Sequence, residues 1–127
     1  MGYLESKIGK AVKFGPPRDA HRKGANTRNG KIVDEVWAIE SQRDAQKHVP
    51  HHHVDCWGDY AFCSQLIEWE NGGYSIRLAY YRQRSGEDHW EFASQTTVET
   101  IPTTTKALLE RTLAKTDWFT KPTSSKY

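Results

Sequence analysis

The chain has no long apolar run, no cysteine framework and little aliphatic bulk. No stretch of its 127 residues approaches the roughly eighteen consecutive apolar residues of a membrane span. The opening Met-Gly-Tyr-Leu-Glu-Ser-Lys holds no apolar core of a secretory signal. Two cysteines, Cys56 and Cys63, do not make a disulfide scaffold, and there is no Asn-x-Ser/Thr acceptor. These absences predict a cytoplasmic protein with reduced thiols and no membrane contact. Zinc-finger spacing, an RNP-like strand and a basic heptad are missing too. Hydrophobic residues make up only 36%, so the 12% that are aromatic must supply much of the core. One domain accounts for the length.

What the chain does have is a split charge. Residues 1–31 carry eight of the eighteen Lys and Arg residues against two acids, a local charge of +6. The remaining ten bases and fourteen acids leave the rest at −4. A basic arm on a mildly acidic body suits an anionic partner held largely by charge. The expected layout is a basic, partly flexible arm (1–31), a single α+β domain (32–119) and a disordered tail (120–127).

Residues 3–14 read as a weak helix or an extended arm, and the Gly/Pro-rich 15–31 as a loop. In 32–40, Ile32, Val33, Val36 and Trp37 form an i, i+1, i+4, i+5 stripe that favours a helix, against a β-branched content that favours a strand. Asn71-Gly72 is the strongest hairpin signal. With those two residues as the loop, Trp69 faces Tyr74, Ile67 faces Ile76, Gln65 faces Leu78 and Cys63 faces Tyr80. Glu68, Glu70, Ser75, Arg77 and Tyr81 then share the opposite, solvent face. A turn at 85–88 leads to a third strand, giving an antiparallel meander at about 60–70, 74–83 and 89–98. An extra strand near 51–57 would make four. Pro102 and the threonine run start a C-terminal helix at 103–115, with a Leu109/Leu113 stripe packed on one face of the sheet. Trp118 and Phe119 close one edge of the core. The fold class expected is therefore α+β, an antiparallel β-meander of three to four strands with a C-terminal helix on one face.

Four constellations could carry chemistry. His48, His51, His52, His53, Asp55 and Cys56 crowd into nine residues. In an extended segment His51, His53 and Asp55 point to one side, three ligands of the kind that hold zinc or another transition metal with positions left for water. The His51-x-His53-x-Asp55 run resembles the metal-binding segment of the metallo-β-lactamase fold. That family continues with a histidine where Cys56 stands here, and only His89 remains downstream, so the resemblance stops at the three residues. A solvent-facing polar run beside Pro50 has the same composition.

On the sheet, Arg77 and Tyr81 share the polar face with carboxylates, which suits binding of a polar ligand as well as ordinary cross-strand pairing. Trp57, Tyr60, Phe62 and Tyr81 are the rings that the predicted register leaves outside the core. The arm offers Lys10, Lys13, Arg18, Arg22, Lys23 and Arg28 for phosphate or carboxylate contacts.

The leading expectation is a non-catalytic binding module. It would engage a nucleic acid or an acidic protein through Lys10, Lys13, Arg18, Arg22, Lys23, Arg28, Arg77 and Tyr81. Two alternatives stand behind it: a metal-dependent hydrolase built on His51, His53 and Asp55, and a protein-interaction subunit or homodimer.

Overall fold

The computed structural model describes residues 4–14, 28–48, 57–70, 72–84, 89–93 and 100–122. Strands β1 (Ala11–Phe14), β2 (Arg28–Glu40), β3 (Trp57–Trp69), β4 (Tyr74–Arg84) and β5 (Trp90–Ala93) form one antiparallel sheet in sequential order. A short helix α1 (Gln42–His48) follows β2, and α2 (Pro102–Leu113) precedes a 3₁₀ turn at Thr116–Thr120. The protein is α+β with five strands rather than three to four. The additional strands come from 11–14 and 28–40. The proposed strand near 51–57 lies outside the described residues up to Trp57.

Residues 32–40 are strand, not helix. A β-bulge explains the misleading stripe. Ile32 pairs with Ile67 and Asp34 with Leu66, so Val33 is the extra residue. Before the bulge Ile32 shares a face with Ile67 and Trp69. After it, Asp34, Val36, Ala38 and Glu40 turn to the other face. Two adjacent apolar residues therefore serve opposite sides of the sheet and mimic helical spacing.

The β3–β4 hairpin also departs from expectation. Glu68 faces Tyr74, Ile67 faces Ser75, Leu66 faces Ile76 and Gln65 faces Arg77. Trp69 donates its N–H to the Gly73 carbonyl at 2.9 Å and accepts from the Gly72 N–H at 2.9 Å, which closes a three-residue loop. Gly72 has φ +88°, the left-handed conformation that such loops place at their last residue. The whole register is thus one residue away from the two-residue loop. It is tolerated because β3 is buried on both sides from Ala61 to Ile67. Neither parity of β3 faces water, so burial does not select between them.

One face of the sheet, the helix face, holds Val36, Ala38, Phe62, Leu66, Tyr80 and Ala93 against Leu108 and Trp118. Tyr60 stacks on Tyr80, with ring centroids 5.6 Å apart, and Phe62 packs on the same ring. Helix α2 buries Thr104 and Leu108 and sets the Thr112 hydroxyl 2.7 Å from that of Ser64. Leu109 and Leu113, expected to be its buried stripe, are 53% and 63% exposed, and Phe119 also faces water. The inward stripe turned out to be 104–108–112, whose two threonines hide it from a search for apolar spacing.

The opposite face, the strap face, carries two apolar groups. Val12, Ile32, Ile67 and Trp69 form one. Ala61, Cys63, Ala79 and Tyr81 form the other, with Leu4, Trp37 and Trp90 against it. Trp69 is therefore buried on the side away from α2, not beneath it. Residues 4–10 cross this face as a strap. A turn closes from the Lys10 N–H to the Lys7 carbonyl, and Gly9, at φ +90°, donates to the Ile32 carbonyl at 2.7 Å. No helix in the described residues is long and apolar enough to cross a membrane.

Candidate anion-binding site

Strand alternation places Glu35, Gln65, Arg77 and Tyr81 on the strap face. Gln65 is fully buried in the middle of an apolar strand, so its amide must find partners. It accepts from Arg77 Nε at 2.9 Å through Oε1 and donates from Nε2 to the Tyr81 hydroxyl at 3.4 Å. The amide is thereby oriented, with its carbonyl toward the guanidinium. Phe92, opposite Tyr81 in the register, meets that ring edge-on at 5.4 Å. The Arg77 guanidinium lies 5.1 Å from the Phe92 centroid. On the other side, Trp37 packs against Tyr81 with centroids 5.4 Å apart.

The strap adds a second cation. Its Lys7 N–H donates to Glu35 Oε2 at 2.9 Å, which sets the Lys7 ammonium 4.9 Å from the Tyr81 centroid. Two cations therefore stand over two rings that touch. Among the described residues neither has an acidic partner, and the terminal nitrogens of Arg77 have no acceptor. Glu35 is the carboxylate of this face, and one of its oxygens is taken by the Lys7 amide.

Two groups here, Tyr81 and Cys63, are pushed away from proton transfer or nucleophilic attack at neutral pH. Burial raises the Tyr81 phenol, with the Gln65 hydrogen bond opposing it. Burial likewise pushes the Cys63 thiol up to about 12, against a smaller opposing pull from Arg77.

Several other charged groups are paired within the fold. On the helix face Lys31 pairs with Glu68 at 3.7 Å, and the Tyr74 hydroxyl donates to Glu68 at 2.6 Å. Lys115 pairs with Asp34 at 3.3 Å, and the Trp118 indole donates to the same carboxylate at 2.9 Å. A concavity of about 500 Å³ between β2, α1 and α2 is lined by Glu40, Asp44, Lys47, Thr103, Thr104 and Arg111, among others. Three contacts engage polar groups of its lining: Asp44 with Lys47, Glu40 Oε1 with the Ile101 amide, and Arg111 with the Trp37 carbonyl.

Of the residues singled out in the sequence, Arg77 and Tyr81 are brought together. Of the rings expected outside the core, Phe62 and Tyr81 are buried and Tyr60 is half-buried, while Phe92 on the strap face is exposed, at 47%. Lys10 is exposed in the turn before β1, while Lys13 and Arg28 belong to β1 and β2. Arg18, Arg22, Lys23, His51, His53 and Asp55 lie outside the described residues, as do His52 and Cys56. Among the described residues no group of three or more His, Cys, Asp or Glu side chains could hold a metal ion. Sequence reading missed Gln65, Lys7 and Phe92 as site members. The signal for Gln65 was available: an amide in the middle of Ala61–Ile67, where every neighbour is destined for burial.

No family model matches the chain, and no curated protein or solved structure is similar to it.

Proposed function

We propose that this chain is a non-catalytic binding module for an anionic partner, anchored at Arg77 and supported by Lys7 and the basic first thirty-one residues. One observation carries the reading. The Arg77 guanidinium is aimed by a buried glutamine and seated on Phe92, with its two terminal nitrogens left for an acceptor outside the described residues. A guanidinium fork held in this way loses little freedom on binding a carboxylate or phosphate. The raised Tyr81 and Cys63 favour binding over acid–base or nucleophilic chemistry on this face.

Heparin, a polyanion with no preference built in, supplies the test. The protein should be retained at low salt and released as salt rises. Arg77→Ala should elute earlier than wild type while still folded by circular dichroism, although its unfolding midpoint falls because the buried Gln65 carbonyl loses its donor. Flow-through at low salt, or unchanged elution of Arg77→Ala, would refute the proposal. Deleting the basic arm outright is the wrong experiment, because Val12 is buried and β1 pairs with β2. Neutralising Lys10 and Lys13 to Gln removes the charge and leaves the strand.

A further inference from the structure

We infer that the anionic partner is a single-stranded nucleic acid, an inference that rests on the anion-binding reading above. The strap face alternates cation and ring: Lys7 over Tyr81, Arg77 over Phe92, and the two rings in edge contact at 5.4 Å. A single strand offers the matching alternation of phosphate and flat base. Tyr81 is buried beneath Lys7, so the surfaces that can accept an unstacked base are the Arg77 plane and the exposed Phe92 ring, and Lys7 accepts a neighbouring phosphate.

Phe92 decides between partner classes. It is a large ring left 47% exposed on β5, the last strand of the sheet, where an incoming chain meets no further strand among the described residues. An acidic polypeptide would satisfy Arg77 and Lys7 but gives Phe92 no flat partner. A duplex keeps its bases stacked inside and presents only phosphates, which again leaves the ring without a role. Lys10, exposed in the turn before β1, adds a contact that ignores sequence, as backbone binding does. The expected ligand is therefore single-stranded DNA or RNA bound with little sequence preference.

The test is a fluorescence-anisotropy titration at fixed salt with labelled oligothymidylate, the same length of duplex, and polyglutamate. Oligothymidylate should bind tighter than either of the others. Phe92→Ala and Phe92→Leu should each weaken oligothymidylate by roughly tenfold and polyglutamate by distinctly less, because both ligands lose the seat under Arg77 but only the single strand loses a stacking face. The leucine variant preserves apolar area, so its loss separates base stacking from packing. Arg77→Lys keeps the charge but not the plane, and should weaken oligothymidylate more than polyglutamate. If all three polyanions bind alike and the Phe92 variants bind as wild type, the single-strand inference fails while the anion reading stands. If oligothymidylate is not bound and polyglutamate is, the partner is an acidic protein. If no polyanion binds, or Arg77→Ala binds each as wild type does, both readings fall.

Discussion

At the scale of single residues, the tightest constraint is at Gly30. A Cβ built there would meet Trp69 Cε3 at 2.8 Å, the Glu68 carbonyl at 2.9 Å and Ile67 Cγ2 at 2.9 Å. One of these is backbone of the paired strand, which cannot step aside without breaking the ladder. Gly30 is therefore required for the approach of β2 to β3 and to the Trp69 ring, whose indole is itself fixed by a 2.8 Å bond to the Ser75 hydroxyl. Gly30→Ala should cost about 1–3 kcal/mol, the range for overpacking a close contact. Urea unfolding would show it as a lower midpoint with the slope unchanged. A midpoint equal to wild type would mean that the strands separate more easily than their geometry implies. Arg77 and Tyr81 could be picked from the sequence because a charge and a phenol four apart on a strand share a face whichever register holds. Lys7 could not, because its place over Tyr81 depends on a long-range contact between the strap and Glu35.

At the scale of elements, what was readable depended on whether an element has one wet face. The hairpin at Asn71-Gly72 was legible from its turn residues and the helix at Pro102 from that proline. The pairing within the hairpin was not, because β3 hides both sides and parity says nothing about register. The bulge at Val33 made β2 look helical by the same route: it shifts the face assignment midway along the strand. Helix α2 shows a further long-range device. Its N-cap position is Ile101, which has no side-chain oxygen, and no side-chain cap bond is made locally. The acceptor comes from the end of β2 instead. Glu40, 1% exposed, takes the Ile101 N–H through Oε1 at 2.8 Å. The end of one strand thereby fixes where the helix starts. Glu40→Ala strips the acceptor from a buried amide and should destabilise by about 1–3 kcal/mol. Glu40→Gln keeps an oxygen there and should cost less. Chemical denaturation of the pair checks the ordering, and equal losses would show that the capping bond is not what Glu40 contributes.

At the scale of the whole molecule, the sequential order of the five strands puts β3 at the centre, with β2 on one side and β4 on the other. Cys63 sits in the middle of that strand, between Trp37 and Ala79 in the register, and has no exposure. Its thiol lies on the strap face under Tyr81, Leu4, Trp37 and Trp90, and reaches solvent only when that packing opens. Burial also holds its thiol at about 12, against an ordinary value of 9.0, so the reactive thiolate is scarce as long as the packing over it stays closed. Alkylation of Cys63, followed by peptide mass spectrometry in a Cys56→Ser background, should therefore be silent in native buffer at pH 8. It should appear across urea with the same midpoint as tryptophan fluorescence, as expected of a single cooperative unit. The sign of the pH effect follows from the raised value. The folded state keeps the proton where the unfolded thiol gives it up. The contribution is then intact below pH 9 and is lost as pH climbs from 9 toward 12. Removing the thiol by Cys63→Ala should flatten stability across that alkaline range relative to the parent. Labelling that precedes the fluorescence transition would instead mean that the strap-face packing over Cys63 opens locally, ahead of the rest of the molecule.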